Sequence, residues 1–182
     1  MTQADLSPSS LFVMTWWPVA NGHAYTVRDA TMADINELYL NMRESDMDEL
    51  VAGAGNARRA LRLSFLSSVL CKAVVCDDGL ICVYGVSPIS WFEGIGCPWM
   101  LGTKLLDCKH KRSVLLIGKE CLDSMRALFP VRLENYTDVR NMKSIRWLKW
   151  LGFRFDAPIS YGASGLPFYP FRMGEGACAT LH

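Results

Sequence analysis

The sequence predicts one mixed α/β domain in which helices flank a mostly antiparallel sheet. Two short runs rich in β-branched residues are separated by Asp78-Gly79, which is a strong signal for a β-hairpin. Stretches with apolar residues at helical spacing lie before and after that hairpin. The predicted elements follow the order β, α, α, β, β, β, α, β, α, β, β, which fits a mixed sheet covered by helices.

The size and composition fit a single globular domain. The chain has 182 residues, of which 51% are hydrophobic and 20% are charged. The 19 basic residues nearly balance the 18 acidic residues, so the formal net charge is +1. This balance argues against a protein that mainly coats nucleic acid or an anionic membrane. We therefore expect no nucleic-acid partner and no membrane partner.

The seven cysteines are spaced singly along the chain, with no Cys-x-x-Cys pair. This spacing predicts reduced, buried thiols in a cytoplasmic protein, without a disulfide framework and without a metal site.

The apolar stretch near the N-terminus follows Asp5 and no basic residue, so a signal peptide is not expected. We divide the chain into a loosely ordered leader at 1–23, one domain at 24–173 and a tail at 174–182.

The first half of the domain begins with a strand and continues with two helices. Apolar and polar residues alternate at 25–28, which predicts the strand. Thr31 and Asp34 have the spacing of a capping box, so a helix is expected to begin there. Glycines at 53–55 end that helix, and Asn56 is a suitable N-cap for the next one.

The second half is predicted to contain a hairpin followed by four strands and two helices. Ser113 is a candidate N-cap for the first of these helices, and Pro130 marks its end. Asn141 begins the last helix and Gly152-Phe153 ends it. The predicted strands lie at 71–76, 79–86, 97–103, 131–139, 159–162 and 167–173.

The order of elements and two short signatures resemble the GNAT superfamily of acyl-CoA-dependent N-acetyltransferases. The first signature is VRDATMADINEL at 27–38, which is similar to the opening strand, turn and helix of that family. The second is the spacing from Asn141 to Gly152-Phe153, which matches the family's last helix. The resemblance covers residues 24–173. It implies a central sheet whose middle strands splay apart to admit acyl-CoA.

A narrower resemblance is to the small GNAT-like proteins that tailed bacteriophages encode. It rests on GCPWMLGT at 96–103, LENYTDVRN at 133–141, SIRWLKWLGF at 144–153 and PFYPFRM at 167–173. Some of those proteins are regarded as acetyltransferases and others as internal virion or assembly proteins. The resemblance therefore implies a location in the cytoplasm of a host cell.

The GNAT resemblance implies that acetyl-CoA is the co-substrate and that no metal is needed. The fourth strand of that fold pairs with the pantetheine arm, and the residues that would line the arm are Trp99, Met100, Leu101 and Thr103. The pyrophosphate would lie at a basic run before the following helix, formed by Lys109, His110, Lys111, Arg112 and Ser113. The same run is also explained as solvated loop charge. Further contacts are implied for Asn141, which is equally well explained as an N-cap, and for Arg146.

Two departures from the family bear on catalysis. The usual glycine-rich pyrophosphate loop is replaced by the basic run. Leu148 also stands where many family members have a tyrosine that protonates the leaving thiolate. The residues predicted to act instead as acid or base are Glu93, Tyr136 and Tyr161. The backbone N–H of Leu101 is a candidate for the oxyanion contact.

Two functions from different classes remain open at this stage. The first is an acyltransferase that modifies an amine of a host protein or of a small molecule. The second is an inactive GNAT-like scaffold that acts in virion assembly or inhibits a host protein by binding, with Trp16, Trp17, Trp91 and Phe92 as a candidate contact patch. Convergence of the basic run on one cleft favours the enzyme. In either case the terminal hairpin is a candidate surface for a homodimer.

Overall fold

A computed structural model describes residues 15–20 and 23–174 of the chain. These residues form nine strands and six helices. The strands are β1 Thr15–Ala20, β2 His23–Asp29, β3 Leu70–Cys76, β4 Gly79–Ser90, β5 Ile95–Gly102, β6 Arg132–Asp138, β7 Arg154–Phe155, β8 Ile159–Tyr161 and β9 Leu166–Gly174. The helices are α1 Met32–Asn41, α2 Glu44–Ala54, α3 Ala57–Ser67, α4 Lys104–Cys108, α5 Lys111–Leu128 and α6 Met142–Leu151.

The strands form a single mixed sheet in the order β1-β2-β3-β4-β5-β6-β9-β7, and β8 also pairs with β9. Every pair of neighbours is antiparallel except β5 and β6, which run parallel. The predicted fold class, a mostly antiparallel mixed sheet with splayed central strands and flanking helices, is confirmed.

The parallel pair is short, and this opens the sheet at its centre. Only Ile95 and Gly96 of β5 pair with Arg132 and Leu133 of β6. Beyond these residues β5 continues to Gly102 alongside β4, while β6 continues to pair with β9. The two central strands therefore diverge and leave an opening between them.

Hydrophobic residues pack on both faces of the sheet. On one face, α5 and α6 cover a core to which Tyr84, Phe129 and Leu133 contribute. On the other face, α1 and α3 cover a smaller core built around Leu38 and Leu61. The opening between β5 and β6 lies between these two layers.

Most local predictions are confirmed because their signals are contained in short segments. Thr31 and Asp34 form the capping box at the start of α1. Gly79 has a φ of 120° in the turn between β3 and β4, a conformation that favours glycine. Asn141 caps α6, and Gly152 adopts the left-handed conformation at its end.

Several boundaries differ from the prediction, and one of them depends on contacts between distant segments. The helix predicted to continue from Thr31 to the glycines at 53–55 is two helices, since Met42 pairs with Thr103 and the Arg43 N–H donates to the Gly102 carbonyl. The helix predicted to start at Ser113 begins at Lys111. The stretch at 15–20, assigned to the leader, pairs with β2.

The cysteines are less uniformly buried than expected. Cys82 and Cys121 are buried, whereas Cys108 is exposed. None of the six cysteines in the described part of the chain forms a disulfide. The described residues also contain no helix long and apolar enough to cross a membrane.

Candidate active site

The opening between β5 and β6 forms a cavity of about 440 Å³ that extends from one face of the sheet to the other. Helices α2 and α3 contribute to one side of its wall, and α5 and α6 contribute to the other. The residues that the two central strands place in the lining are Cys97, Pro98, Trp99, Met100, Leu101, Asn135, Tyr136 and Thr137. The divergence of β5 and β6 therefore leaves an accessible cavity between the two strands.

The β5 side of the cavity presents one backbone amide for an extended ligand. The Gly102 N–H donates to Asp46 Oδ2 at 2.8 Å, and the Pro98 carbonyl accepts a hydrogen bond from Asn135 Nδ2 at 2.9 Å. Both groups point away from β4. Because backbone groups alternate in direction along a strand, the N–H and C=O of Met100 point into the opening as well.

The same alternation corrects the predicted oxyanion contact. Leu101 is registered opposite Val83, and its N–H points toward β4 instead of the cavity. The donor that faces the opening is the N–H of Met100. A sequence-based count along the strand could not settle this point, because the direction of the alternation depends on the pairing register.

A carboxylate from α2 lies in the cavity wall. Glu49 Oε2 accepts hydrogen bonds from Asn141 Nδ2 at 2.8 Å and from Thr137 Oγ1 at 3.0 Å. Burial raises the pKa of Glu49 to about 7, although the hydrogen bond from Asn141 opposes the shift. A carboxyl with this pKa can both accept and release a proton near neutral pH.

A buried ion pair holds the neighbouring turn of α2 against the end of β5. Arg43 Nε lies 2.6 Å from Asp46 Oδ2, and both side chains are almost fully buried. Burial lowers the pKa of Arg43, but the charge and hydrogen bond of Asp46 together with the charge of Asp107 raise it above its ordinary value. Since Asp46 also accepts the Gly102 N–H, the pair ties α2 to the C-terminal end of β5, away from the residues that pair with β6.

Asn141 has two roles in this arrangement. Its Oδ1 accepts the N–H of Ser144 at 3.3 Å, which is the predicted N-cap of α6. Its Nδ2 donates to Glu49, so the cap also orients a carboxylate that lies 92 residues away in sequence. Asn141 is buried and is not part of the cavity lining.

Two predicted catalytic tyrosines are brought together at the cavity. The rings of Tyr136 and Tyr161 are stacked, with centroids 4.1 Å apart and an angle of 13° between their planes. Both line the cavity. Burial raises the pKa of Tyr161, so its hydroxyl stays protonated near neutral pH and remains a hydrogen-bond donor.

Solved structures similar to this chain include acetyltransferases. The spermidine N-acetyltransferase from Vibrio cholerae, solved with CoA and spermine, has a TM-score of 0.62 and 12% identity over 82% of this chain and 94% of its own. The GNAT superfamily phosphinothricin acetyltransferase from Sinorhizobium meliloti, solved with AcCoA, has a TM-score of 0.61 and 16% identity over 86% of this chain and 92% of its own. A ribosomal-protein-S5-alanine acetyltransferase from Vibrio fischeri has a TM-score of 0.63 and 18% identity over 91% of this chain and 100% of its own.

The chain has the GNAT fold. At these levels of identity the similarity establishes the fold and not the activity. No protein-family model matches the sequence, and no curated protein matches it.

Three of the four residues expected to line the pantetheine arm in this GNAT fold do line the cavity. They are Trp99, Met100 and Leu101. Thr103 does not, because its side chain is buried and Oγ1 donates to the Leu80 carbonyl at 2.7 Å. Thr103 instead fastens the end of β5 to β4.

The described side chains of the basic run, which stands where GNAT proteins have a glycine-rich loop, do not line the cavity; they are Lys109, His110 and Lys111. Lys109 Nζ lies 3.1 Å from Asp78 Oδ2, on the turn between β3 and β4. His110 is completely buried, so its ring is not exposed to a phosphate. Lys111 is exposed at the start of α5. The side chains of Arg112 and Ser113 lie outside the described residues, and their phosphate contacts stay predictions.

Two other predicted site residues lie away from the cavity. Arg146 is on the exposed face of α6, and its Nε donates to the Met142 carbonyl at 3.2 Å. Glu93 lies in the exposed turn before β5, at the end where β5 and β6 remain paired. The structure therefore does not bring Glu93 to the place where a base would be needed.

Several polar groups of the site were not predicted from the sequence. Glu49 and Asp46 are three residues apart, so they share one face of α2. That spacing could have indicated a pair of carboxylates at the site. However, the surrounding acidic residues make the segment resemble a solvent-exposed helix face. Trp147 also lines the cavity, and its buried indole N–H has no partner among the described residues.

The raised pKa of Glu49 predicts a specific dependence of stability on pH. The folded-state pKa of about 7 exceeds the ordinary glutamate pKa of 4.5, so folding is favoured while Glu49 is protonated. This contribution is complete below the unfolded pKa and is lost as the pH rises through the folded pKa. We expect the free energy of unfolding to fall by up to about 3 kcal/mol between about pH 5 and pH 8, relative to Glu49→Gln.

Urea denaturation of both proteins across this range measures the difference. Glu93→Gln, which alters an exposed carboxylate, is the control and should follow the wild-type curve. Parallel curves for the wild type and Glu49→Gln would show that Glu49 titrates as an ordinary carboxylate.

Proposed function

We propose that the chain is an N-acyltransferase that moves an acyl group from acyl-CoA, with acetyl-CoA as the expected donor, to an amine of a protein or a small molecule. The observation that carries the proposal is the cavity at the β5–β6 splay, where a free backbone edge and the Glu49 carboxylate occur together. The GNAT fold and the acetyltransferases that share it support the same conclusion.

The pantetheine arm is proposed to extend along β5 at Met100. The N–H groups of the arm need acceptors when they leave water, and the Met100 carbonyl supplies one as a neighbouring strand would. The apolar wall contributed by Leu148 and Leu151 of α6 covers the aliphatic parts of the arm. The indole N–H of Trp147 is a further donor for a carbonyl of the arm.

Glu49 is the proposed general base. The acceptor amine is protonated in water and must lose a proton before it can attack the thioester carbonyl. With a pKa of about 7, Glu49 is substantially ionised at neutral pH and can take that proton. Asn141 and Thr137 act as positioning residues, because they fix Glu49 Oε2 without meeting the substrate themselves.

The remaining steps use a backbone donor and a tyrosine hydroxyl. As the C–N bond forms, the carbonyl oxygen becomes negative and the Met100 N–H stabilises it. As the C–S bond breaks, the CoA thiolate leaves with the electron pair. Tyr136 or Tyr161 is proposed to donate a hydrogen bond to that thiolate, since Leu148 cannot. The nitrogen, positively charged after attack, loses a second proton as the intermediate collapses, and the CoA thiolate takes it up to form the free thiol. Glu49 then releases the first proton to solvent.

Calorimetric titration with acetyl-CoA tests this proposal. We expect the wild type to bind with a dissociation constant in roughly the micromolar to millimolar range. Leu148→Trp adds bulk inside the cavity and should abolish binding, whereas Met142→Trp makes a similar enlargement at an exposed position of the same helix and should not. Absence of binding by the folded wild type, or equal binding by both variants, would contradict the proposal.

A second candidate is a GNAT-like binding protein without chemistry, acting in virion assembly or on a host protein. The exposure of two aromatic residues favours it: Phe92 is fully exposed and Trp91 is 59% exposed. The side chains of Trp16 and Trp17, predicted for the same patch, lie outside the described residues. Leu148 at the usual tyrosine position supports this alternative as well. It predicts a folded protein to which acetyl-CoA does not bind.

A further inference from the structure

Five potential metal ligands meet at one corner of the molecule, away from the cavity. They come from three segments: the start of β2, the turn between β3 and β4, and the link between α4 and α5. The residues are His23, Cys76, Asp77, Asp78 and His110. None of them lines the cavity, so this cluster is separate from the proposed acyltransferase site.

The separations within this cluster are close to those around a zinc ion. One ligand atom each from His23, Cys76 and Asp77 lies within 4.8 Å of the other two, and His23 Nδ1 is 2.7 Å from Asp77 Oδ1. Cys76 Sγ lies 4.0 Å from His110 Nε2. Ligand atoms around a tetrahedral Zn²⁺ are roughly 3.3–3.6 Å apart, as follows from metal–ligand bonds of about 2.0–2.3 Å. Small side-chain movements therefore suffice to enclose an ion.

The burial and orientation of His110 resemble those of a metal-binding histidine. Its side chain is completely buried, and Nδ1 lies 2.7 Å from the hydroxyl of Tyr25. This contact fixes the ring and directs Nε2 toward Cys76 and Asp78. Metal-bound histidines commonly use one ring nitrogen for the ion and the other for such a hydrogen bond.

The chemistry of the four nearest groups favours zinc. A thiolate, two imidazoles and a carboxylate are all common zinc ligands, whereas calcium and magnesium prefer oxygen ligands alone. Asp78 is paired with Lys109 at 3.1 Å and can remain outside the coordination sphere. Binding would displace the proton of the Cys76 thiol into solvent, leaving a zinc–thiolate bond.

We propose that a structural Zn²⁺ site is formed by Cys76, His23, His110 and Asp77. The site links the start of β2 and the turn between β3 and β4 to the start of α5. The sequence-based expectation of no metal site relied on the lack of paired cysteines. The ligands proposed here are separated by up to 87 positions, from His23 to His110, and only the fold brings them together. The site fixes the corner that carries Lys109 and Lys111, where GNAT proteins have their glycine-rich loop.

Metal titration of the purified chain tests this site. Apoprotein titrated with Zn²⁺ against a chromophoric chelator should bind one equivalent, and Co²⁺ should produce the absorption of a thiolate–cobalt bond. Cys76→Ser should abolish that absorption and weaken Zn²⁺ binding roughly 100-fold, because one of four ligands is lost. His23→Gln should weaken binding similarly but keep the thiolate absorption. Circular dichroism checks that each variant is folded.

Cys108→Ser is the matched control, since Cys108 is exposed and lies outside the cluster. It should bind both metals as the wild type does. The proposal is overturned if the folded wild type binds no stoichiometric Zn²⁺. It is also overturned if Cys76→Ser binds as tightly as Cys108→Ser, which would indicate an adventitious ion only. Neither result depends on acyl-CoA, so the acyltransferase proposal is tested separately.

Discussion

Glu49→Gln is expected to reduce kcat for acyl transfer by about 10²–10⁴-fold, which is the usual contribution of a general base. Glutamine keeps the shape of the side chain and an oxygen that can accept from Asn141 and Thr137. It cannot take a proton from the acceptor amine. Release of free CoA thiol, measured with a panel of primary amines and amine-bearing peptides, gives the rate.

Acetyl-CoA affinity should change little in Glu49→Gln, because the proposed arm contacts are on β5 and α6. The control is Glu93→Gln, which removes the carboxylate predicted from the sequence and should keep wild-type kcat. Full activity in Glu49→Gln would remove the base from the mechanism. Loss of activity in Glu93→Gln would restore the original prediction.

Asp46→Ala should lower the free energy of unfolding by about 3–5 kcal/mol, the usual cost of removing one partner of a buried ion pair. The variant leaves the buried Arg43 guanidinium without its closest carboxylate and the Gly102 N–H without its acceptor. It therefore weakens the connection between α2 and the C-terminal end of β5. Urea denaturation measures the change.

Lys143→Ala provides the comparison for Asp46→Ala. Lys143 pairs with Asp107, but its side chain is 52% exposed. Exposed pairs contribute no more than about 1 kcal/mol, so this variant should unfold close to the wild type. If both variants lose the same small amount, the Arg43–Asp46 pair does not stabilise the connection between α2 and β5.

The sequence predicted those parts of the fold that depend on local chemistry. The hairpin at Asp78-Gly79 and the cap at Asn141 each require only a few adjacent residues, and both are confirmed. The break between α1 and α2 was not predictable in this way. It depends on contacts of Met42 and Arg43 with Gly102 and Thr103, about 60 residues further along the chain.

The candidate site was predictable in outline and not in its chemistry. The β5 stretch from Trp99 to Leu101 lines the cavity as the resemblance implied. The carboxylate of Glu49 was missed because its environment is created by Asn141 and Thr137, which are distant in sequence. The pairing of Lys109 with Asp78 was likewise not predictable, because only the fold brings the two residues together.

The most direct test of the central proposal is amide hydrogen exchange at Met100, measured by NMR with and without acetyl-CoA. The Met100 N–H faces the opening, so a bound pantetheine arm should slow its exchange markedly. Leu101 is an internal control, because its N–H already faces β4 and should change little. Unchanged exchange at Met100 under saturating acetyl-CoA would contradict the placement of the cofactor along β5.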